Sequence, residues 1–285
     1  MLILLWNPPP WGPPPGPVED GSPALLTHDR AALATAHAVV FHVPTLPARL
    51  RLPRPARQRW VAWSMESEVM YPQLADPAFM AAFDLTMTYR MDSDVPVPYA
   101  GPRLAKALLD PPQEKTEAAP AVFFASSAVE RSGRTEYVRQ LMQHLAVDSY
   151  GRCLRNRVLT EDRGAETKRR TIARYRFTLA FENSCTRDYV TEKFYAPLCV
   201  GSVPVVLGAP NIDQLAPADN CYLDVRDFSD PAALAARLLA LSRDPRAYEE
   251  LLAWKTRPLR ARFARRIQSL AAPAFSRLAS RLAAP

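Results

Sequence analysis

Glycine is scarce in this chain, with nine in 285 residues against 29 prolines. Loops of that composition are stiff, because proline fixes φ and glycine's backbone freedom is missing. Long apolar runs are also lacking. Only Met1–Trp6 precedes the N-terminal prolines, and it is too short for a signal peptide or a membrane span. No Asn-x-Ser/Thr sequon occurs, since Asn183-Ser184 is followed by Cys185. Acidic residues are absent from Lys255 onwards, where eight lysines and arginines stand. The formal charge of +7 belongs to that tail: the rest holds 28 basic against 29 acidic residues, which leaves no general nucleic-acid footprint.

What is present reads as α/β. Met1–Trp6, Ala38–Val43, Arg59–Ser64 and Phe83–Arg90 are strand-like, with a Pro- and Gly-rich loop over Asn7–Pro23 and a helical pattern over Asp29–Ala36. His42 reads as a packed core histidine. Asp110–Pro120 has the composition of a linker. Beyond it, Ala121–Ala125, Val147–Tyr150, Phe177–Phe181, Val203–Leu207 and Cys221–Val225 are strands. They alternate with helical patterns opening at Arg134, at Thr191-Glu192-Lys193 and at Asp230-Pro231. Gly164–Arg170 is a charged loop or helix, and Arg246–Lys255 a further helix. The expected domains are 1–112, 113–255 and a basic helical tail over 256–285 that docks back on the first domain.

Tyr175–Val225 carries the chemistry. Strand, helix and strand within some 35 residues predict a βαβ unit, whose ligands sit where strand carboxyl ends meet helix N-termini. Free N–H groups there favour a phosphate, Lys193 adds a full charge, and Glu192 suits a sugar's vicinal hydroxyls. On residue types alone, a solvated helix start is the competing reading. Glu66 follows a strand, the place of a general base in an α/β fold, with Glu68 beside it. Asp92-Ser93-Asp94 matches a DxD manganese site in form, although Arg90 is there to pair with those acids.

The run FENS, DYVTEK and GSVPVVLGAPN, at this spacing and in this order, resembles the donor-binding motif of the α1,3-fucosyltransferases. The resemblance implies a GT-B arrangement of two Rossmann-like domains with a cleft between them. It implies inverting transfer of fucose from GDP-fucose to an N-acetylglucosamine-containing glycan or glycoprotein. It also implies work in the Golgi, where family members carry an N-terminal signal anchor and stem that are not visible here. Met65-Glu66-Ser67 looks like the acceptor-side motif, which makes Glu66 the general base. The donor-binding residues carried over are Tyr99, Ser126, Ser127, Arg134, Asn183, Tyr189, Glu192 and Lys193, with Arg134 and Lys193 stabilising the leaving diphosphate. No metal is required on this reading, Mn²⁺ being at most stimulatory, and Asp92 and Asp94 become cleft-lining. Of the four cysteines, Cys153 and Cys185 occupy places that look like a pair in some family members. The strand before FENS has Thr178 where many members have tyrosine, a departure expected to alter guanine or ribose contacts. A nucleotide-sugar-binding protein without catalysis, and a GT-B transferase with another donor, are the alternatives.

Overall fold

The computed structural model describes residues 1–18, 22–47 and 51–284; part of the expected 7–23 loop and Pro285 of the tail lie outside the described residues. The chain divides into two compact units, one of Met1–Pro98 with Ser269–Pro285 and one of Tyr99–Gln268.

The first unit is built on β1 (Leu2–Leu5), β2 (Gly16–Pro17), β3 (Leu25–Thr27), β4 (Ala38–His42), β5 (Arg59–Ser64) and β6 (Leu85–Thr88). The sheet order is β2-β3-β1-β4-β5-β6, with β2 antiparallel to β3 and every other pairing parallel. All five residues of β4 are buried, as expected of a parallel strand covered on both faces. The two short strands β2 and β3 were not predicted, and β2 lies within the segment expected to be all loop. Neither is long enough to show a period of two. The helix expected over 29–36 is a 3₁₀ turn, Arg30–Ala34, whose start is capped by the Asp29 carboxylate accepting from Ala31 N–H. A short helix, α1 (Pro77–Met80), precedes β6.

The second unit opens with α2 (Pro102–Leu108) and continues through β7 (Ala121–Phe124), α3 (Arg134–Leu141), β8 (Val147–Tyr150) and α4 (Ala165–Ala173). Then come β9 (Phe177–Phe181), α5 (Glu192–Val200), β10 (Val203–Leu207), α6 (Ile212–Leu215), β11 (Leu223–Asp224), α7 (Pro231–Arg243) and α8 (Pro245–Glu250). The sheet is parallel throughout, in the order β11-β10-β9-β7-β8. Thr191 caps α5, accepting from Lys193 N–H at 3.3 Å, and Gly201 ends it in the left-handed region at φ 70°. A Cβ on Gly201 would sit 2.3 Å from Pro112, so glycine is required there twice over.

Two helices close the chain: α9 (Ala261–Ser269) and α10 (Ala274–Ala283). Leu278 and Ala279 of α10 are buried in the core of the first unit with Ile3, Val40 and Trp63. The expected boundaries shift on both sides. Residues 99–112, expected in the first domain, group with the second unit because α2 packs on α5 and the buried Lys255 ammonium donates to Leu108 O and Leu198 O. The tail is likewise divided, since α9 stays with the second unit. Its Phe263 is fully buried beside Tyr195, and two of its three arginines bond to that unit: Arg262 pairs with Asp213 at 2.7 Å and Arg266 donates to Gln214 O. Burying one phenylalanine contributes about 2–3 kcal/mol.

Candidate functional site

Each sheet has a topological switch point, where the chain leaves one side of its first strand and winds on to the other. In the second unit it lies between β7 and β9, in the first between β1 and β4. Parallel α/β sheets bind ligands at the carboxyl ends of strands beside such a point.

In the second unit a single side chain spans the switch point. Arg134, the first residue of α3, is only 3% exposed. It donates to Ser127 O, after β7, at 3.0 Å and to Phe181 O, the last residue of β9, at 3.3 Å. Its Nε is buried without a hydrogen-bond partner among the described residues. The sequence resemblance implies Arg134 on the leaving diphosphate; the structure turns the guanidinium inwards onto strand-end carbonyls, so that it offers charge there and not an open bidentate fork. The amides of Ser132 and Gly133, at the entry to α3, are already satisfied by the Glu130 carboxylate at 2.8 and 2.7 Å. Ser126 and Ser127 are exposed on the loop after β7.

Lys193 is placed by a group that the sequence reading passed over. Glu182, the residue after β9, is 2% exposed and accepts from both the N–H and the hydroxyl of Thr191 at 2.8 Å. Its other oxygen lies 3.3 Å from Lys193 Nζ, which also donates to Thr191 Oγ1 at 3.1 Å. Burial pushes the Glu182 carboxyl up, against the pull of Lys193. Burial alone would lower Lys193, but Glu182 and Glu192 outweigh it and hold the ammonium charged. Glu192 is half-exposed between Lys193 at 3.6 Å and Lys168 at 3.4 Å. The E of FENS was legible as a letter; its burial under Thr191 needed the β9-to-α5 turn.

The remaining donor-side candidates are brought near the same strand end. Asn183 follows Glu182, its carbonyl accepting from Arg131 N–H at 2.7 Å. Tyr189 is buried and meets the Tyr99 ring edge-on at 6.4 Å. The turn between them is fixed by Asp188, at φ 64°, which exchanges hydrogen bonds with Asn211 of the GAPN segment at 2.8 and 2.9 Å. Thr178 is no part of this group. It is buried at the other end of β9 and bonds the Ser202 hydroxyl at 2.7 Å, so its departure from tyrosine is a matter of packing. The cysteine pairing is corrected too. All four cysteines are free thiols, with Cys153 buried in the core of the unit and Cys185 exposed.

In the first unit, Glu66 stands two residues beyond β5. The fully buried Ser64 hydroxyl holds that turn, accepting from Glu66 N–H at 3.0 Å and donating to Glu66 O at 2.8 Å. Glu66 lines a cavity of about 330 Å³ with Glu68, Met80, Tyr89, Arg90 and Asp92. Arg90 grips Asp92 with two hydrogen bonds of 2.9 and 2.8 Å, and Tyr89 donates to Glu68 at 2.5 Å. Asp94 accepts instead from the N–H and hydroxyl of Thr86, both at 2.8 Å. The two carboxylates of the DxD triplet are thus committed to different partners. Among the described residues no group of three His, Cys, Asp or Glu is placed to hold a metal ion. Because Asp92 and Asp94 are already partnered by Arg90 and Thr86, EDTA is expected to leave most of the transfer implied by the sequence resemblance in place; complete loss restored by Mn²⁺ alone would return the triplet to a metal-binding role.

The first unit's switch point holds a second feature, in the stiff Pro- and Gly-rich loop expected from Asn7. Asn7 bridges it, accepting from His42 N–H at 3.0 Å and donating to His42 O at 2.9 Å. The proline-rich loop that follows presents Trp11, 60% exposed, packed edge-on against His42 at 5.7 Å and Trp63 at 5.3 Å. Burial lowers the His42 pKa to about 4, so the imidazole under this indole is neutral.

Comparison with known proteins bears on the family and the fold. The profile of the glycosyltransferase family 10 (fucosyltransferase) C-terminal region matches residues 112–283, and that of the fucosyltransferase N-terminal region matches residues 1–100. The chain is 37% identical over 278 residues to alpha-(1,3)-fucosyltransferase 7 of Rattus norvegicus, covering 90% of this chain and 70% of that protein. It is 36% identical over 230 residues to GDP-fucose protein O-fucosyltransferase 3 of Homo sapiens, covering 75% of this chain but 47% of that protein, about half its length. A crystal structure of an alpha1,3-fucosyltransferase with GDP-fucose superimposes with a TM-score of 0.60 at 15% identity, over 92% of this chain and 81% of that one, which places the fold in the GT-B class. With both halves matched in order, the chain belongs to glycosyltransferase family 10, the fucosyltransferases.

Proposed function

We propose that this chain is an inverting fucosyltransferase that moves fucose from GDP-fucose to a hydroxyl of an N-acetylglucosamine-containing glycan, in α1,3 linkage. The observation that carries the reading is the charged Lys193, held on buried Glu182 and Thr191 at the N-terminus of α5, with Arg134 buried across the adjacent switch point. In the reaction the acceptor oxygen bonds to the anomeric carbon as the bond to the β-phosphate oxygen breaks. The acceptor proton passes to Glu66 and GDP departs with the electron pair. Lys193, the Arg134 charge and the α5 N-terminus stabilise the negative charge growing on the diphosphate. Glu192 binds hydroxyls of the donor, and Asn183, Tyr189, Tyr99, Ser126 and Ser127 shape its pocket. Opposite-face attack in one displacement gives inversion.

Trp11 fits the acceptor side, since an exposed indole on a proline-stiffened loop offers a flat apolar surface to a pyranose ring at little ordering cost. Trp11→Ala is expected to raise the acceptor KM about tenfold, the size of a lost aromatic contact, with the GDP-fucose KM and kcat little changed. An unaltered acceptor KM would remove Trp11 from the site.

The relationship to a protein O-fucosyltransferase supports a second acceptor reading, a polypeptide hydroxyl. For the α1,3 reading we include the Golgi lumen as the place of work, on the family resemblance alone. No helix among the described residues is long and apolar enough to cross a membrane. Incubation with GDP-fucose and a panel of N-acetyllactosamine glycans, N-glycan cores and peptides, read by mass spectrometry, tests the proposal. A fucose mass on glycans alone supports the α1,3 reading and one on peptides alone the second. No transfer, with GDP-fucose bound, would leave a nucleotide-sugar-binding protein.

A further inference from the structure

We propose that residues 51–59 form an anion-binding exosite for the sulfate or phosphate ester of a charged glycan. The site lies at the end of the first unit's sheet opposite to Glu66. Five arginines stand between positions 49 and 59 without an acid, and all but Arg49 lie within the described residues. Arg54, Arg57 and Arg59 line a cavity of about 400 Å³ with Gln58 and one carboxylate, Asp84. That carboxylate is shared: it forms an ion pair with Arg54, lies 3.7 Å from Arg59 and accepts from Trp60 N–H at 2.6 Å. Three guanidinium groups against one acid leave two positive charges over the concavity.

The loop is anchored on both sides of its tip. Arg54 donates to Gln58 O and Ala82 O and lies over the Trp60 ring at 5.2 Å. The Gln58 side chain is buried and donates to Leu33 O and Ala36 O. Arg57 stands at the tip, exposed, with no hydrogen bond or ion pair among the described residues. Its φ is 67°, a conformation that suits glycine or asparagine and strains arginine. Stability would place another residue here, and the charge is what arginine adds. A planar guanidinium matches a tetrahedral oxyanion in two hydrogen bonds.

A membrane surface fits less well, because residues 51–59 include no exposed large apolar side chain to insert, and Leu52 packs on the core. The six residues of β5 separate this loop from Glu66 by roughly 20 Å, so a group held here does not occupy the transfer site.

Binding is measured on the full chain without GDP-fucose, so the result does not depend on the transferase reading. A sulfated hexasaccharide is titrated against its unsulfated counterpart and against vesicles containing phosphatidylserine. Wild type is expected to bind the sulfated sugar only. Arg57→Gly and Arg59→Ala should each weaken binding about fivefold, the factor for a half-exposed charge-assisted contact, while Arg265→Ala, an exposed charge of the tail, should not. Arg57→Gly should keep or raise the melting temperature, which separates lost charge from lost folding. Wild-type affinity in Arg57→Gly and Arg59→Ala would overturn the exosite, as would Arg57-dependent binding to the vesicles with none to the sugar.

Discussion

Replacing Glu66 by glutamine is expected to lower kcat by about 10²–10⁴, the range for loss of a general base, with GDP-fucose affinity little changed. The amide keeps the shape of the side chain and cannot take the acceptor proton. The neighbouring acids are the controls. Glu68 is bound to the Tyr89 hydroxyl, and Asp92 is gripped by Arg90, so both carboxylates have structural partners. Glu68→Gln and Asp92→Asn should lose less in kcat than Glu66→Gln and should lower the melting temperature instead. A dead Asp92→Asn beside an active Glu66→Gln would move the base to Asp92.

Lys193→Ala is expected to lower kcat/KM by about 2–4 kcal/mol, the range for removing one preorganised charge from a developing anion. The variant also leaves Glu182 buried without its cation, and an orphaned buried charge typically costs about 3–5 kcal/mol of stability. Pairing it with Glu182→Gln separates the two effects. Replacing that carboxylate by an amide should restore much of the melting temperature, while the phosphate still departs without its cation. Activity is therefore expected to stay low in the double variant. Activity recovered together with stability would mean that Lys193 serves only to neutralise Glu182.

Most of the fold was legible in the sequence because buried parallel strands are unbroken apolar runs. AVVFH, RWVAWS and FTLAF stand as β4, β5 and β9. The α5 boundaries were equally open, since Thr191 and Gly201 punctuate the helix chemically. What stayed hidden depends on three-dimensional proximity. The unit boundary moved because Lys255 ties α2 to α5 across nearly 150 residues. Glu182 reads as a loop acid until the turn folds it under Thr191. Trp11 sat in a run of prolines with no periodicity to interpret, and the inward turn of Arg134 follows from the β7–β9 switch point. The sequence shows the tail's charge only as a basic block expected to dock on the first domain. Much of it is spent on Asp213, Asp219 and backbone carbonyls of the second unit.

The central claim is one-step transfer of fucose with Glu66 as base and Lys193 on the leaving diphosphate. It is tested most directly by proton NMR of the product formed from β-linked GDP-fucose and an N-acetyllactosamine acceptor. The account predicts an α-fucoside on O3 of the N-acetylglucosamine with wild type, and at least a hundredfold slower appearance of the same signal with Glu66→Gln. A β-fucoside, or an α-fucoside formed at the wild-type rate by Glu66→Gln, would contradict it.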